Sequence, residues 1–115
     1  MLATLTVRAE FLAAARAGRV GTPGFHIQAR KRRENEADPT LVRVGFTCSK
    51  KVGNAVARNR AKRRLREVAR RVLPKHGHAG WDYVLIGRFE ATAARDFEAL
   101  QRDLVSALGK LHGAR

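Results

Sequence analysis

The stretch from Lys50 to Val72 reads KKVGNAVARNRAKRRLREVARRV, and its spacing predicts one long helix from Asn54 to about Val72. At about 100° per residue, Ala57, Ala61, Leu65, Val68 and Val72 fall within an arc of roughly 80°. Asn59, Arg63, Arg66 and Arg70 lie nearly opposite that arc. Arg60, Arg64 and Arg71 form one flank, and Arg58 and Lys62 the other. Such a helix buries a narrow seam and is cationic over the rest. Between Lys50 and Arg71 there are ten Lys or Arg residues and one acid, Glu67, a net charge of +9 out of +14 for the whole chain. Like charges one turn apart destabilise a helix by tenths of a kcal/mol per pair, roughly. A polyanionic partner removes that cost.

Working outward, Val42, Val44, Phe46 and Cys48 alternate with Arg43, Gly45 and Thr47, which predicts a strand with one core face and one open face. A short third extended piece is expected at Lys50–Val52. Upstream, Phe25, Ile27 and Ala29 alternate with His26, Gln28 and Arg30 in another strand, and the charged run from Lys31 to Pro39 reads as an exposed loop. Thr6 is expected to cap a first helix running to about Ala17, with Val7, Phe11, Leu12 and Ala15 on one side. Gly18 ends it, and residues 21–24 (Gly-Thr-Pro-Gly) form a turn. Downstream, Pro74, Gly77 and Gly80 break the chain. Trp81 to Ile86 is apolar apart from Asp82 and predicts a strand covered on both faces. A last helix is expected from about Ala94 to Leu111, buried along Phe97, Leu100, Leu104, Leu108 and Leu111. The order α-β-β-β-α-β-α predicts an α+β fold, a two-layer α/β sandwich with helices mainly on one sheet face, in a single domain spanning residues 1–115.

The overall composition points the same way. A net charge of +14 on 115 residues calls for a polyanion. An acidic membrane surface would favour aromatic residues opposite the charges, and the basic helix has none. Arg and Lys with a single Asn suit backbone phosphates better than base readout in a DNA groove, so no DNA partner is expected. Cys48 is the only cysteine, which rules out an intrachain disulfide and fits a reducing, cytoplasmic compartment. No apolar run is long enough to span a membrane. Arginines among alanines near the N-terminus superficially resemble a transit peptide, but Glu10 and the apolar spacing favour a folded helix.

The segment Ser49-Lys-Lys-Val-Gly-Asn-Ala-Val-Ala-Arg-Asn-Arg-Ala-Lys-Arg-Arg-Leu-Arg-Glu67 resembles the signature of the bacterial ribonuclease P protein family, whose hallmark is the Arg58-Asn59-Arg60 step. Size, charge, element order and the Trp81-Asp82-Tyr83 strand extend the resemblance over nearly the whole chain. It implies a ribosomal-protein-like fold whose parallel strands are joined by a left-handed crossover, against the right-handed rule that holds in about 98% of cases. It implies the protein subunit of an endoribonuclease that removes the 5′ leader of precursor tRNA. In that family the RNA subunit does the chemistry with bound Mg²⁺, and the protein, non-catalytic alone, binds the RNA and the leader. The resemblance assigns RNA binding to Lys50, Lys51, Arg58, Asn59, Arg60, Lys62, Arg63, Arg64 and Arg66. It assigns leader binding to Phe11, His26, Gln28 and Arg30, with Arg43 and Thr47 as weaker candidates. The family often carries a second aromatic where this chain has Ala15.

No Ser-His-Asp set, paired carboxylates or Gly-rich phosphate loop is present, and His76 and His78 are weak evidence for a metal. The resemblance implies ribonuclease P RNA and precursor tRNA as partners, with Mg²⁺ at the RNA active site and none held tightly by the protein alone. A ribosomal or RNA-chaperone protein is the alternative reading of the same charge. A protein-only nuclease lacks its residues.

Overall fold

A computed structural model describes residues 2–36 and 38–113. The elements are β1 (Leu2–Thr4), α1 (Arg8–Ala15), β2 (Gly18–Gly21), β3 (Phe25–Lys31), β4 (Val42–Thr47), α2 (Ala55–His76), β5 (Trp81–Gly87), α3 (Ala91–Ala94) and α4 (Phe97–Leu111). They build a five-stranded sheet of order β1-β4-β5-β3-β2. β4 runs parallel to β1 and to β5, while β3 runs antiparallel to β5 and β2. The long helix α2 is thus the crossover between the adjacent parallel strands β4 and β5, and the fold is α+β as the sequence predicts.

Alternation along the strands sorts the side chains into two layers of different character. Phe25, Ile27, Ala29, Val44, Tyr83 and Leu85 point to one face and pack with Leu65, Val68 and Val72 of α2 and Leu100, Leu104 and Leu108 of α4. Burying a Leu or Phe side chain contributes about 1.5–3 kcal/mol, so this layer dominates the stability. The other face holds a smaller cluster of Leu5, Ala14 and Val84, with Phe11 and Ile86 against it. Strand β5 is covered on both faces, as its unbroken apolar run implies.

Several local expectations change. Lys50–Val52 is a 3₁₀ turn rather than a strand, with the Ser49 hydroxyl accepting from the Lys51 N–H. Two short edge strands, β1 and β2, take shape by pairing with the longer β4 and β3. Helix α1 starts one residue later than a Thr6 cap would give. Val7 is its N-cap, with its N–H donating to the Glu10 carboxylate at 3.4 Å. That helix buries Ala14 and part of Phe11, leaving Val7 and Leu12 exposed, so its apolar side is rotated from the expected one. Helix α2 continues through Pro74 to His76. Pro74 lacks the N–H that would donate to the Arg70 carbonyl one turn back, and Arg70 lies on the exposed side of the helix. The last helix is split: Asp96 accepts from the Ala99 N–H at 3.2 Å and starts α4 afresh after the short α3.

The charged segment after β3 is not wholly exposed. The expected loop includes Ala37, which lies outside the described residues. Arg32 is buried and donates to Asp82 at 2.7 Å and to the carbonyls of Trp81, Asp38 and Leu41.

Candidate nucleic-acid interface

Helix α2 places its cations as the helical projection predicts. Ala61, Leu65, Val68 and Val72 are buried, and toward the C-terminal end Ala69 and Leu73 widen the buried face. Asn54 accepts from the Ala57 N–H at 2.9 Å and fixes the helix start immediately after the 3₁₀ turn that carries Lys50 and Lys51.

The cations divide by what they touch. Arg58 donates to the Gly53 carbonyl at 2.8 Å. Arg64 donates to the Arg95 carbonyl and lies over the Phe97 ring. Arg70 and Arg71 pair with Glu67, whose carboxyl they hold below its ordinary value. Among the described residues, Lys50, Lys51, Arg60, Lys62 and Arg63 make no ion pair, and Asn59 is exposed beside them. The N-terminal half of α2, with the turn before it, is therefore the uncompensated part of the surface, suited to phosphates.

On the opposite sheet face lies an open groove of about 450 Å³ between α1 and the strands. Phe11 and Leu12 of α1 form one wall with Arg8 and Ala15, and Gln28, Thr47, Val84 and Ile86 form the sheet side. Phe11 can lie against the sheet because β4 has glycine beneath it. A methyl group at Gly45 would come 2.5 Å from Cε1 and Cζ of the Phe11 ring. Phe11 thus packs on the sheet and lines the groove at once.

The expected leader-binding residues are not all in this groove. Gln28 lines it, and so does Thr47. His26 lies on the same sheet face outside the lining. Burial, with Arg88 and Arg19 nearby, holds its imidazole below the ordinary value and hence neutral at pH 7. Arg30 is also outside the lining and is engaged with Glu36 through two hydrogen bonds of 2.8 and 3.1 Å. Arg43 is committed to structure: it donates twice to the fully buried Asp82 at 2.7 Å and once to Glu10 at 2.7 Å, tying α1 to the sheet. Arg8 was missed by the sequence reading. It is an exposed cation on the groove rim, and its place follows only from the rotation of α1.

The groove and the basic helix meet. Phe46 lines the groove, and the Arg66 guanidinium lies 5.7 Å from the centroid of its ring. The cationic surface of α2 and the groove thus adjoin at Phe46.

The ribonuclease P family model matches residues 2–112. The chain belongs to the ribonuclease P protein family. The ribonuclease P protein component of Ruegeria pomeroyi is 60% identical, over 99% of this chain and 90% of that protein. That of Paramagnetospirillum magneticum is 47% identical over 93% and 80%. Among solved structures, the RNase P protein of Staphylococcus aureus superposes with a TM-score of 0.70 at 27% identity, covering 93% of each chain. That of Thermotoga maritima gives 0.69 at 25%, covering 94% of this chain and 93% of the other. In this chain the family's fold carries both the cationic helix and the groove. Among the described residues no helix is long and apolar enough to cross a membrane.

Proposed function

We propose that this chain, as a protein component of ribonuclease P, binds the catalytic RNA through α2 and the 5′ leader of precursor tRNA through the groove beside Phe11. It assists Mg²⁺-dependent endonucleolytic removal of the leader, and the RNA subunit performs the hydrolysis. The observation that carries this reading is the continuity of the two surfaces at Phe46 and Arg66. The contacts to the RNA fall to Lys50, Lys51, Arg58, Asn59, Arg60, Lys62, Arg63, Arg64 and Arg66. Arg60, Lys62 and Arg63 are foremost because the protein leaves their charge uncompensated. In the groove, Phe11 offers a stacking surface and Gln28 a hydrogen-bonding amide. His26 and Arg30 act from farther along the same face. Stacking of single-stranded bases on aromatic rings contributes about 1–3 kcal/mol per base.

Reconstitution tests the reading. The protein is mixed with ribonuclease P RNA and precursor tRNA at low Mg²⁺, and the rate of leader release is measured. Faster cleavage on adding the protein is expected, with none from the protein alone. An unchanged rate would return the chain to the RNA-chaperone reading. Arg60→Ala and Arg63→Ala are each expected to reduce the slope of log affinity against log salt by about 0.7–0.9, one phosphate contact. Phe11→Ala is expected to weaken binding of leader-bearing precursor tRNA while leaving binding of mature tRNA unchanged.

A further inference from the structure

The turn between β5 and α3 carries a feature that neither the basic helix nor the groove uses. Phe89 is 61% exposed, an unusual setting for a large apolar side chain. The next residue, Glu90, has φ of 59° and ψ of −47°, the only positive φ among the described non-glycine residues. The Ala91 N–H donates to the Phe89 carbonyl at 2.6 Å, which closes a γ-turn of the rare, strained hand around Glu90. The turn is clamped on both sides. Arg88 donates to the Thr22 carbonyl at 2.5 Å, and its N–H donates to the Thr92 hydroxyl at 2.8 Å. Thr92, fully buried, donates in turn to the Gly24 carbonyl at 2.6 Å. The backbone beneath the exposed ring is therefore fixed on both sides.

What lies beside the turn decides the ligand. Arg60, Glu90, Ala93 and Ala94 line a shallow depression of about 300 Å³. Arg60 and Glu90 share it yet form no ion pair among the described residues. Glu90 disfavours a phosphate inside the depression, while the several N–H donors of Arg60 let it also reach the backbone phosphate beside a base held there. A second apolar protein surface would strand both charges. An unpaired nucleobase suits the depression, with an apolar floor of two alanine methyls, a guanidinium to donate to ring nitrogens or carbonyls and a carboxylate to accept from an exocyclic amine, and the exposed Phe89 ring, next in the chain to Glu90, offers it a stacking face.

We infer that Phe89, with Arg60 and Glu90, forms a docking shelf for a single unstacked base of the RNA that α2 binds. The inference rests on the RNA-binding reading above and adds base recognition to a surface otherwise suited only to phosphates. The strained turn pre-organises the shelf, so little ordering accompanies binding.

The test measures affinity for ribonuclease P RNA, and its salt dependence, for the full chain. Phe89→Ala and Phe89→Leu are each expected to weaken binding on the order of tenfold with the salt slope unchanged, and Phe89→Tyr to restore it. Because the ring is exposed, the melting temperature should stay the same, and Phe89→Leu retains apolar bulk if the alanine variant folds poorly. Wild-type affinity in both variants, with Arg63→Ala still weakening binding, overturns the shelf and leaves the RNA-binding reading standing. A shallower salt slope in the Phe89 variants would also overturn it, since a stacked base releases no counterion. If the wild-type chain fails to bind the RNA, the underlying reading falls first.

Discussion

Toward α2 and α4 the sheet presents Ile27, Val44, Tyr83 and Leu85 to a continuous apolar layer. Toward α1 it presents Gln28, Arg43, Gly45 and Asp82 beside Val84 and Ile86, so only a small apolar cluster forms there with Leu5, Ala14 and Phe11. The first face is held by area, the second by a small apolar cluster supplemented by charge: Arg32 and Arg43 converge on the buried Asp82, and Arg43 reaches on to Glu10 of α1. The difference shows how a chain this short keeps one face free for a ligand. An apolar second face would have closed over itself, whereas a few directional bonds hold α1 at one edge and leave the groove beside it open.

The largest expected effect tests whether charge really does hold the second face. Asp82→Asn leaves two buried or half-buried guanidinium groups without their shared carboxylate. It is expected to cost about 3–5 kcal/mol in urea unfolding. A loss under about 1 kcal/mol would mean that α1 is held by Phe11 and Leu5 instead. On the apolar face, Leu104→Ala is expected to cost about 2–5 kcal/mol without altering affinity for precursor tRNA. Smaller still is Gly45→Ala, where the added methyl drives the Phe11 ring off β4. It should cost about 1–3 kcal/mol and weaken leader binding together with stability. If stability falls and leader binding does not, Phe11 belongs to the structure alone.

Two gentler perturbations sharpen the comparison. His112 closes the apolar face near the end of α4. Its Nε2 lies 2.6 Å from the Tyr83 hydroxyl and its ring stacks on His78 with centroids 3.5 Å apart. Burial, then the neighbouring His78, holds its imidazole below the ordinary 6.5. The unfolded chain therefore takes up this proton first. The stabilisation is complete above about pH 6.5 and is lost as the pH falls toward the depressed native value. His112→Asn should flatten that part of a stability–pH curve. Last, Arg30→Ala removes a partly exposed pair with Glu36, and a change of about 0–1 kcal/mol is expected in the same unfolding measurement.

The long periodic elements were legible in the sequence because their pattern and their burial have one cause. The seam from Ala61 to Val72 and the alternation of β3, β4 and β5 are what helix and sheet faces require. The short elements were not, because their form comes from partners. Leu2–Thr4 and Gly18–Gly21 are strands only by virtue of the longer neighbours they bond. Arg32 sits in a run that looks like a solvated loop, and its partner Asp82 lies fifty positions away, a pairing no local pattern reveals. In the interface, the cations of α2 were readable one by one. Which of them the protein already engages was not, since Arg64 is held by a carbonyl of the α3–α4 link and Arg71 by Glu67. The groove lining shifted for a related reason. With Phe11 over Gly45 and Glu10 on Arg43, α1 puts Arg8 on the groove rim, whereas His26 and Arg30 lie to either side of Gln28 along β3, outside the lining.

Trp81 stands edge-on to His112 with ring centroids 4.5 Å apart, and it is the only tryptophan in the chain. Its emission is therefore a built-in gauge of whether the end of α4 is seated. It sits on the helix-covered side, so a spectroscopist following it would watch the fold and remain blind to cargo entering beside Phe11.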